Sequence, residues 1–428
     1  MSMTTRPIDT NEPIYISGAG IGGCALAIRL ARQGFNNIHL LEAREKNDKG
    51  RQNPIRLAQS SLRWMEKIGV YDALLQQKKI APILKEQRLQ DCYISISDLE
   101  RAFREHIEKN HPRCAIDYGR SITAISEKDQ SITVANRKGE TRTLPFPKIL
   151  VNAEGANSHL TTLLHLRRIP YMPKAPLCYA IYDRSPLQGF SRVGVATFRF
   201  FRTIYYLLIY LGYYLFQNEG LKNPKRILRS GLIANLPRAQ FLGFALNKEK
   251  SAHLKKLIQA SQAAKQRYNK QRSKRLATAY HQADKRVRNF FEYWGELSRA
   301  RINVVACISW IFGMENFGFF ECSLAKPLQG YQYFECTSDR LEKPIHEVGS
   351  MSVIALGDAL QTVDPATGGG ANFAIEQGEK VVHFLQNRSS KNYYISRIEE
   401  EMYFAQESGK VLREHYRSDL IEISRVFL

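Results

Sequence analysis

The order of apolar and polar positions at the start of the chain predicts a strand, a helix and a second strand. Residues 13–17 are rich in β-branched and aromatic side chains, and a glycine-rich turn follows them. Residues 24–34 carry small and apolar side chains at helical spacing, and residues 37–42 return to a strand pattern. This succession is typical of a βαβ unit, in which the two strands lie parallel in one sheet.

The middle of the chain mixes helical and strand patterns. Residues 57–79 predict an amphipathic helix with an extension, and residues 97–110 predict a second helix with one apolar stripe. Residues 114–151 alternate between apolar and polar positions and contain the turn residues of hairpins. Residues 178–246 and 302–336 are dominated by aromatic and β-branched side chains, which indicates a sheet.

The end of the chain repeats the succession of strand, glycines and helix. Residues 352–358 are an apolar run, glycines follow, and the remaining residues have helical patterns. We therefore predict an α/β fold with a discontinuous domain made of residues 1–175 and 343–428. A β-sheet-rich domain, residues 176–342, is inserted into it, and the tail is helical.

Positive charge is unevenly distributed along the chain. The formal net charge is +21, and residues 248–288 hold thirteen Lys and Arg against two acids. A solvated helical face accounts for such a segment, and so does docking to an acidic protein or an anionic membrane surface. No signature of a nucleic-acid-binding fold accompanies the segment, so no nucleic-acid partner is expected.

The remaining bulk features concern the cellular compartment. The apolar run 203–216 is shorter than the roughly 20 residues that a membrane-spanning helix needs, and it predicts buried strands, with an interfacial patch as the alternative. The seven cysteines are scattered without a CxxC pair or a zinc-ligand spacing. The first residues lack the apolar core of a signal peptide. These features predict a cytoplasmic protein without a metal site, with peripheral membrane association as an option.

The first glycine-rich turn has the GxGxxG spacing, at Gly18, Gly20 and Gly23. It follows a strand and opens a helix, which is the context that a dinucleotide-binding turn requires. The first glycine allows the tight turn, the second lets a pyrophosphate approach the backbone, and the third lets the helix pack on the strand. Glu42 ends the next strand, where a carboxylate accepts both ribose hydroxyls of an adenosine and repels a 2′-phosphate. The turn therefore predicts a Rossmann-type site for FAD or NAD rather than NADP.

Two arginines and an asparagine follow this acid. Arg44, Arg51 and Asn53 come after Glu42, and basic residues this close to it along the chain could neutralise a bound pyrophosphate. A solvated loop is the alternative interpretation for each of them.

The second glycine-rich stretch reads GDALQTVDPATGGGAN, residues 357–372. Asp358 follows a predicted strand, and the carboxyl ends of strands are where open α/β sheets bind ligands. Gly368, Gly369 and Gly370 open a helix whose N-terminus favours anions and carbonyl oxygens. An acid for a sugar-alcohol hydroxyl, Pro365 and a helix end for a ring carbonyl suit a flavin with its ribityl chain.

Together these residues resemble the single-component flavin monooxygenases, which have the FAD-binding fold of the aromatic hydroxylases. That family has a GxGxxG start, a middle DG motif and a late motif of the form GDAAHxxxPxxGQGxN. In this sequence the late motif has Leu360, Gln361 and Gly369 in place of Ala, His and Gln.

The middle motif of the family corresponds to Ala153-Glu154-Gly155, with glutamate in place of an aspartate that helps both FAD and NADPH binding in the family. The resemblance implies FAD as cofactor and NAD(P)H as reductant, and it implies no acid–base pair. The residues predicted to bind the cofactor are Gly18, Gly20, Ile21, Gly22, Gly23, Glu42, Arg44, Arg51, Asn53, Glu154, Asp358, Pro365, Gly368, Gly369, Gly370, Ala371 and Asn372.

Parts of the sequence are similar to two narrower groups. Glu42-Ala43-Arg44 and the run 51–57 are similar to the early segment of the MICAL monooxygenases, which oxidise methionines of actin. Residues 94–99 resemble their ISIRQL segment, with Ser97 in place of Arg. Residues 363–368 resemble the DPxTGEG motif of isoprenoid reductases.

The resemblance implies an FAD-dependent monooxygenase that uses NAD(P)H and O₂, through a C4a-hydroperoxyflavin, to oxygenate an aromatic small molecule or a protein side chain. Two alternatives stay open. One is an FAD-dependent reductase or dehydrogenase with a lipid-like, isoprenoid substrate. The other is a flavin-fold protein that binds a partner and has little turnover.

Overall fold

A computed structural model describes most of both ends of the chain and parts of its middle. Two compact units are present, one formed by Met1–Pro173 with Thr337–Arg413 and the other by Lys174–Cys336 with Glu414–Leu428. The predicted domain boundaries, residues 1–175 with 343–428 and residues 176–342, stay a prediction. The described residues are 8–48, 50–51, 53–85, 88–183, 231–235, 239–245, 248–290, 332–363, 369–386 and 389–426.

A six-stranded sheet forms the centre of the first unit. Five of its strands are parallel, and only the edge strand β15 runs antiparallel to its neighbour. The strands near the middle are mostly buried, because helices cover one face of the sheet and a small antiparallel sheet with a short helix covers the other. In spatial order the strands are β15 (Ile345–Val348), β16 (Met351–Ala355), β10 (Ile149–Asn152), β1 (Ile14–Ser17), β2 (Ile38–Glu42) and β6 (Cys114–Tyr118).

The helices α1 (Ile21–Arg32) and α7 (Gly370–Leu385) pack directly against each other. A Cβ placed on Gly378 would lie 3.5 Å from the Cα of Leu26, so the two backbones are close. Arg29 and Glu379 form an ion pair of 3.3 Å across this contact, although they are 350 residues apart in sequence. The two ends of the chain therefore build one core.

Two small sheets and several helices flank the central sheet. The helix predicted over residues 57–79 is shorter, because residues up to Ala58 pair with β5 as a strand, and Gly69 (φ 76°) separates two helices. The helix predicted over 97–110 is confirmed. These elements are β3 (Pro54–Ala58), α2 (Gln59–Lys67), α3 (Val70–Gln76), β4 (Ile80–Lys85), β5 (Arg88–Ser95), α4 (Ile96–Asn110), β7 (Arg120–Ser126), β8 (Ser131–Asn136), β9 (Thr141–Pro145) and α5 (His159–Leu163).

A four-stranded sheet and long helices complete the described residues. Its spatial order is β12 (Gly231–Asn235), β13 (Ala239–Ala245), β11 (Arg168–Asp183) and β14 (Gln332–Leu341). The helix α6 (Lys248–Gln271) and the last helix, α8 (Lys391–Val426), are the longest. Among the described residues no helix combines the length and apolarity that crossing a bilayer requires. The apolar run 203–216 lies outside the described residues.

Candidate cofactor site

The turn between β1 and α1 is as tight as the GxGxxG spacing predicts. Gly18 has φ +105°, and a Cβ there would lie 2.5 Å from the carbonyl oxygen of Ala153. A Cβ on Gly23 would lie 2.0 Å from the carbonyl oxygen of Gly18. Both distances are far below van der Waals contact, so only glycine allows the helix to begin this close to the strand.

The N-terminus of α1 is open to a ligand. Gly20 precedes the helix, no side chain caps it, and no acid lies in the first turn. Free N–H groups and the helix dipole at such an end favour a phosphate. The residues of this first turn are Ile21, Gly22 and Gly23.

Glu42 ends β2 next to this turn, as predicted, and its side chain is almost fully buried. Its carboxylate accepts hydrogen bonds from the Ala19 N–H (3.0 Å) and the Arg44 N–H (2.9 Å). The Arg44 guanidinium donates two more, of 2.9 and 3.1 Å. Burial alone would raise the pKa of Glu42, but the hydrogen bonds and charge of Arg44 outweigh burial and lower it. A ribose that bonds to Glu42 must therefore displace the Arg44 side chain.

Arg44 connects Glu42 to a second acid that the sequence did not single out. Its guanidinium also donates to Glu100 on α4 at 2.6 Å, and the Arg104 guanidinium lies 3.8 Å from the same Glu100 oxygen. Glu100 is buried, and its other oxygen lies 3.4 Å from the Cβ position of Gly20. A carboxylate thus faces the N-terminal side of α1, and two arginines balance its charge.

A polar cavity of about 280 Å³ adjoins this network. Gly50, Ser97 and Arg104 line its inner side, while Lys46 and Tyr118 contribute to its outer side. The cavity is joined to the network through Arg104 and through Gly50, whose Cβ position lies 3.5 Å from a Glu100 oxygen. It provides room for a polar ring system beside the end of β2.

Arg51 and Asn53 lie in the segment that leads to β3. Their carbonyl oxygens accept from the first residues of α4, at 2.9 Å from Ser97 N–H and 3.0 Å from Ile96 N–H. The Arg51 side chain is exposed, and its charge acts on the Asp358 carboxyl by lowering the pKa of that group. The backbone contacts position this segment between the two glycine-rich motifs.

Glu154, the middle-motif acid, follows β10 and is held by its own neighbourhood. Its carboxylate accepts from Ser17 Oγ at 2.5 Å, Ser158 Oγ at 2.9 Å and the Leu160 N–H at 2.8 Å. The last two donors belong to the start of α5. In this arrangement Glu154 links β1 to α5, and its predicted role in cofactor binding stays a prediction. The extra methylene of glutamate gives the reach that these contacts use.

Asp358 lies directly after β16, in a short 3₁₀ turn formed by Gly357–Ala359. One of its oxygens is 3.6 Å from the Cβ position of Gly370, the first residue of α7. Burial raises the pKa of Asp358, and the charges of Arg51 and Arg168 only partly oppose this. None of the hydrogen bonds among the described residues ends on its side-chain oxygens.

Arg168 holds the backbone of this turn, and the sequence did not indicate it. Its guanidinium donates to the carbonyls of Ala359 (2.8 Å) and Asp358 (3.1 Å) and to Thr362 Oγ1 (3.1 Å). It also pairs with Asp339 at 2.7 Å. A planar, multidentate donor is needed to bond to all of these at once. Arg168 therefore fixes the direction in which the Asp358 carboxyl points.

We expect Arg168→Lys to lower the free energy of unfolding of the first unit by about 1–2 kcal/mol. Lysine keeps the charge but lacks the planar guanidinium that donates to several acceptors at once. Urea unfolding measures this. Arg167→Lys is the matched control: its side chain is exposed, and among the described residues its hydrogen bond is the one its carbonyl accepts from Glu342 N–H. The control should stay within about 0.5 kcal/mol of the parent. Equal effects of the two substitutions would contradict a special role for Arg168.

The late glycines open α7, and Asn372 in its first turn connects it to β3. The Asn372 amide accepts from Ala58 N–H at 2.9 Å and donates to the Arg56 carbonyl at 3.0 Å. Gly369 precedes α7, and Gly370 and Ala371 begin it; no side chain caps it and no acid lies in its first turn. Pro365 and Gly368 lie outside the described residues, so their predicted roles stay predictions.

Comparison with known proteins gives matches at the level of structure alone. No family model and no curated protein matches the chain. PqsL of Pseudomonas aeruginosa, described as a probable FAD-dependent monooxygenase, matches with a TM-score of 0.54 and 16% identity, covering 97% of this chain and 99% of PqsL. An oxygenase of 2-methyl-3-hydroxypyridine-5-carboxylic acid matches with a TM-score of 0.54 and 14% identity, over 96% and 92% of the two chains.

The chain has the fold of the FAD-dependent monooxygenases. The predicted α/β fold class with a discontinuous Rossmann-type part is thereby confirmed. A third match, the Diels-Alderase PyrE3, has a TM-score of 0.56 and 14% identity and covers 97% of this chain and 76% of that one. One fold thus carries different reactions, and activity has to be argued from the site. The partial similarity to MICAL monooxygenases gains no support from these matches and stays a prediction.

Proposed function

We propose that the protein is an FAD-dependent monooxygenase that uses NAD(P)H and O₂ to oxygenate an aromatic small molecule or a protein side chain. The convergence of two glycine-rich motifs at one edge of the central sheet carries this proposal. The strands β1 and β16 are parallel and are separated only by β10, so their carboxyl ends lie side by side. The Cβ position of Gly22 lies 3.3 Å from the Cβ of Ala374, which brings the starts of α1 and α7 together.

The residues at this edge fit the successive parts of FAD. The open N-terminus of α1 would take the pyrophosphate, and the Arg44 side chain would be the nearest cation. Glu42 would take the ribose hydroxyls once Arg44 releases it, and the adjoining polar cavity would take the adenine. Asp358 would accept from the ribityl chain, since its carboxyl has no internal donor among the described residues. The N-terminus of α7 would face a ring carbonyl of the flavin.

FAD supplies the two-electron chemistry and O₂ activation that side chains cannot perform. The protein's part is binding, orientation and exclusion of water. Arg168 orients the Asp358 turn, and Asn372 fixes the first turn of α7 against β3. The pKa of Asp358 is raised by burial, so a hydroxyl donor that satisfies its ionised form is bound more firmly there than in water.

The test is purification followed by an absorption spectrum and release of the bound flavin by denaturation. A yellow protein that releases FAD, oxidises NADH or NADPH faster with an aromatic substrate, and transfers one atom of ¹⁸O₂ to it supports the proposal. The comparison of NADH with NADPH identifies the reductant. A protein that takes up no FAD would falsify it.

A flavin-fold binding protein with little turnover is the second candidate, and the bonding of Glu154 favours it. The Glu154 carboxylate accepts hydrogen bonds from Ser17, Ser158 and the α5 backbone, and these internal donors would compete with a ligand for it. This candidate predicts FAD binding with NAD(P)H oxidation no faster than that of free flavin. Reduction of a lipid-like, isoprenoid substrate without O₂ consumption would instead indicate the reductase alternative.

A further inference from the structure

The basic segment of the second unit forms a hairpin of two helices. The helix α6 ends at Gln271, and residues 274–290 are helical again after a two-residue turn. Arg272 in this turn has φ 42°, and its N–H donates to the Tyr268 carbonyl at 2.7 Å. The rings of Tyr268 and Tyr280 stack with centroids 6.4 Å apart, so the two helices run antiparallel from the turn.

Two ring contacts join the two helices, Tyr268 with Tyr280 and His253 with Phe290. Leu254 is buried, and Tyr268, Leu276 and Tyr280 are half-buried. Every exposed residue between 252 and 290 is charged, polar or alanine. The exposed surface of the hairpin therefore carries no large apolar side chain that could insert between lipid chains or fill a protein groove. Whatever binds its outer surface is attracted by charge.

Six cations gather around the turn, and we call them the tip cluster: Lys265, Arg267, Lys270, Arg272, Lys274 and Arg275. All six are exposed. No acid occurs between Glu249 and Asp284, and in the described residues none of the six forms an ion pair. Asp284 pairs with Arg288 on its own helix at 3.2 Å. The charge of the tip cluster is thus uncompensated within the described structure.

The tip cluster is concentrated at one end of the hairpin rather than spread along a side. At a rise of about 1.5 Å per residue, Lys265 lies about 9 Å from the end of α6, and Lys274 and Arg275 begin the second helix. All six charges can therefore reach one flat surface together. Their distances from it stay within the Debye length, which is about 8–10 Å at physiological salt.

We propose that the tip cluster binds the surface of an anionic phospholipid bilayer. A bilayer offers a flat, dense array of phosphates, which matches a compact set of flexible cations without apolar neighbours. A nucleic acid fits less well, because the tyrosine rings of the hairpin, Tyr268 and Tyr280, are half-buried and stack on each other rather than facing out for bases. An acidic protein fits less well, because the anchors of specific protein interfaces lie in well-packed, desolvated pockets, and the exposed tip cluster has no exposed apolar neighbours to form one. This inference does not depend on the proposed function, since it involves no residue of the flavin site.

Vesicle sedimentation tests the proposal with the whole protein. The vesicles are phosphatidylcholine alone, or phosphatidylcholine with about one third phosphatidylserine. We expect binding to the anionic vesicles only. It should weaken strongly as salt rises, because the Debye length falls from about 10 Å at 0.1 M to about 3 Å at 1 M.

Two triple variants locate the binding surface. The tip variant carries Arg267→Gln, Lys270→Gln and Lys274→Gln, and it should bind anionic vesicles on the order of 100-fold more weakly. The matched control carries Lys256→Gln, Lys285→Gln and Arg286→Gln, exposed positions away from the turn, and removes the same charge from the net +21. It should change binding less than about threefold, since its cations lie more than a Debye length from the tip. Circular dichroism shows whether both variants fold.

Three outcomes overturn the proposal. If both variants lost the same affinity for anionic vesicles, binding would depend on net charge and not on the tip cluster. If the protein bound neutral and anionic vesicles equally well, a surface other than the tip cluster would be responsible. Tighter binding to single-stranded RNA or to polyglutamate than to the anionic vesicles at the same salt would make the partner a different macromolecule. If the purified protein held no flavin, the proposed function would fail but the vesicle binding would be unaffected. Failure of the proposed function can therefore be distinguished from failure of the membrane proposal.

Discussion

Gly23→Ala is expected to destabilise the first unit by about 3 kcal/mol or more, the upper range for overpacking a close contact. The new Cβ would lie 2.0 Å from the Gly18 carbonyl oxygen, which is backbone and cannot move aside without shifting β1 or α1. Since β1 lies in the middle of the six-stranded sheet, that shift spreads to both of its neighbours. Thermal unfolding should show a loss of about 6–12 °C in Tm.

Gly20→Ala is the matched control for this substitution. Its φ of −79° suits alanine, and its Cβ would meet only a Glu100 carboxylate oxygen, at 3.4 Å. We expect a Tm close to that of the parent together with weaker FAD binding, because the methyl group occupies the side from which a pyrophosphate would approach. A Gly23→Ala protein that melts with the parent would show that α1 does not begin as close to β1 as described.

Asp358→Asn should weaken FAD binding about 10- to 150-fold, since a hydrogen bond to a charged group contributes about 1.5–3 kcal/mol. The same substitution should stabilise the apoprotein at neutral pH. Burial raises the pKa of the Asp358 carboxyl, so the ionised form is unfavourable in the folded state until a donor satisfies it. Fluorescence titration with FAD measures the first effect, and thermal unfolding of the apoprotein measures the second.

The stabilisation of the apoprotein has a defined pH dependence. Below the ordinary pKa of 3.8, Asp358 is protonated in both the folded and the unfolded chain, and the variant has no advantage. As the pH rises above 3.8, the unfolded chain loses its proton first, so the parent loses stability relative to Asp358→Asn. The advantage reaches its full size once the pH exceeds the raised pKa of the folded state.

Asp117→Asn is the control for Asp358→Asn, because it removes the same charge from an exposed position on β6. It should leave FAD binding unchanged. If Asp358→Asn retained FAD at parental affinity, the ribityl contact would have to be assigned to another residue.

Local patterns were sufficient for the elements around each glycine-rich motif. The strand before Gly18, the helix after it and Glu42 at the end of β2 follow from apolar spacing and from what glycine permits at close approach. The strand before Asp358 and the helix after it follow in the same way. Sequence spacing failed at residues 57 and 58, where pairing with β5 outweighs a helical pattern.

The partners of the acidic side chains were decided by tertiary structure. The sequence indicated Glu42 and Arg44 as separate ligand contacts, whereas the fold joins them to each other and to Glu100 on α4. It indicated Glu154 as a cofactor residue, whereas α5 supplies donors that occupy its carboxylate. Arg168 had no local signal, because its acceptors are carbonyls about 190 residues later in the chain.

The sequence by itself determined the tight turn at Gly18–Gly23, because backbone conformation and close approach depend on which residues lack a side chain. Only the tertiary structure decided that this turn and the start of α7 lie at one edge of the sheet, that no donor among the described residues bonds to the Asp358 side chain, and that Glu42 is bonded to Arg44. Hydrogen bonds and burial depend on distances across hundreds of residues, and those distances are set by packing β10 between β1 and β16.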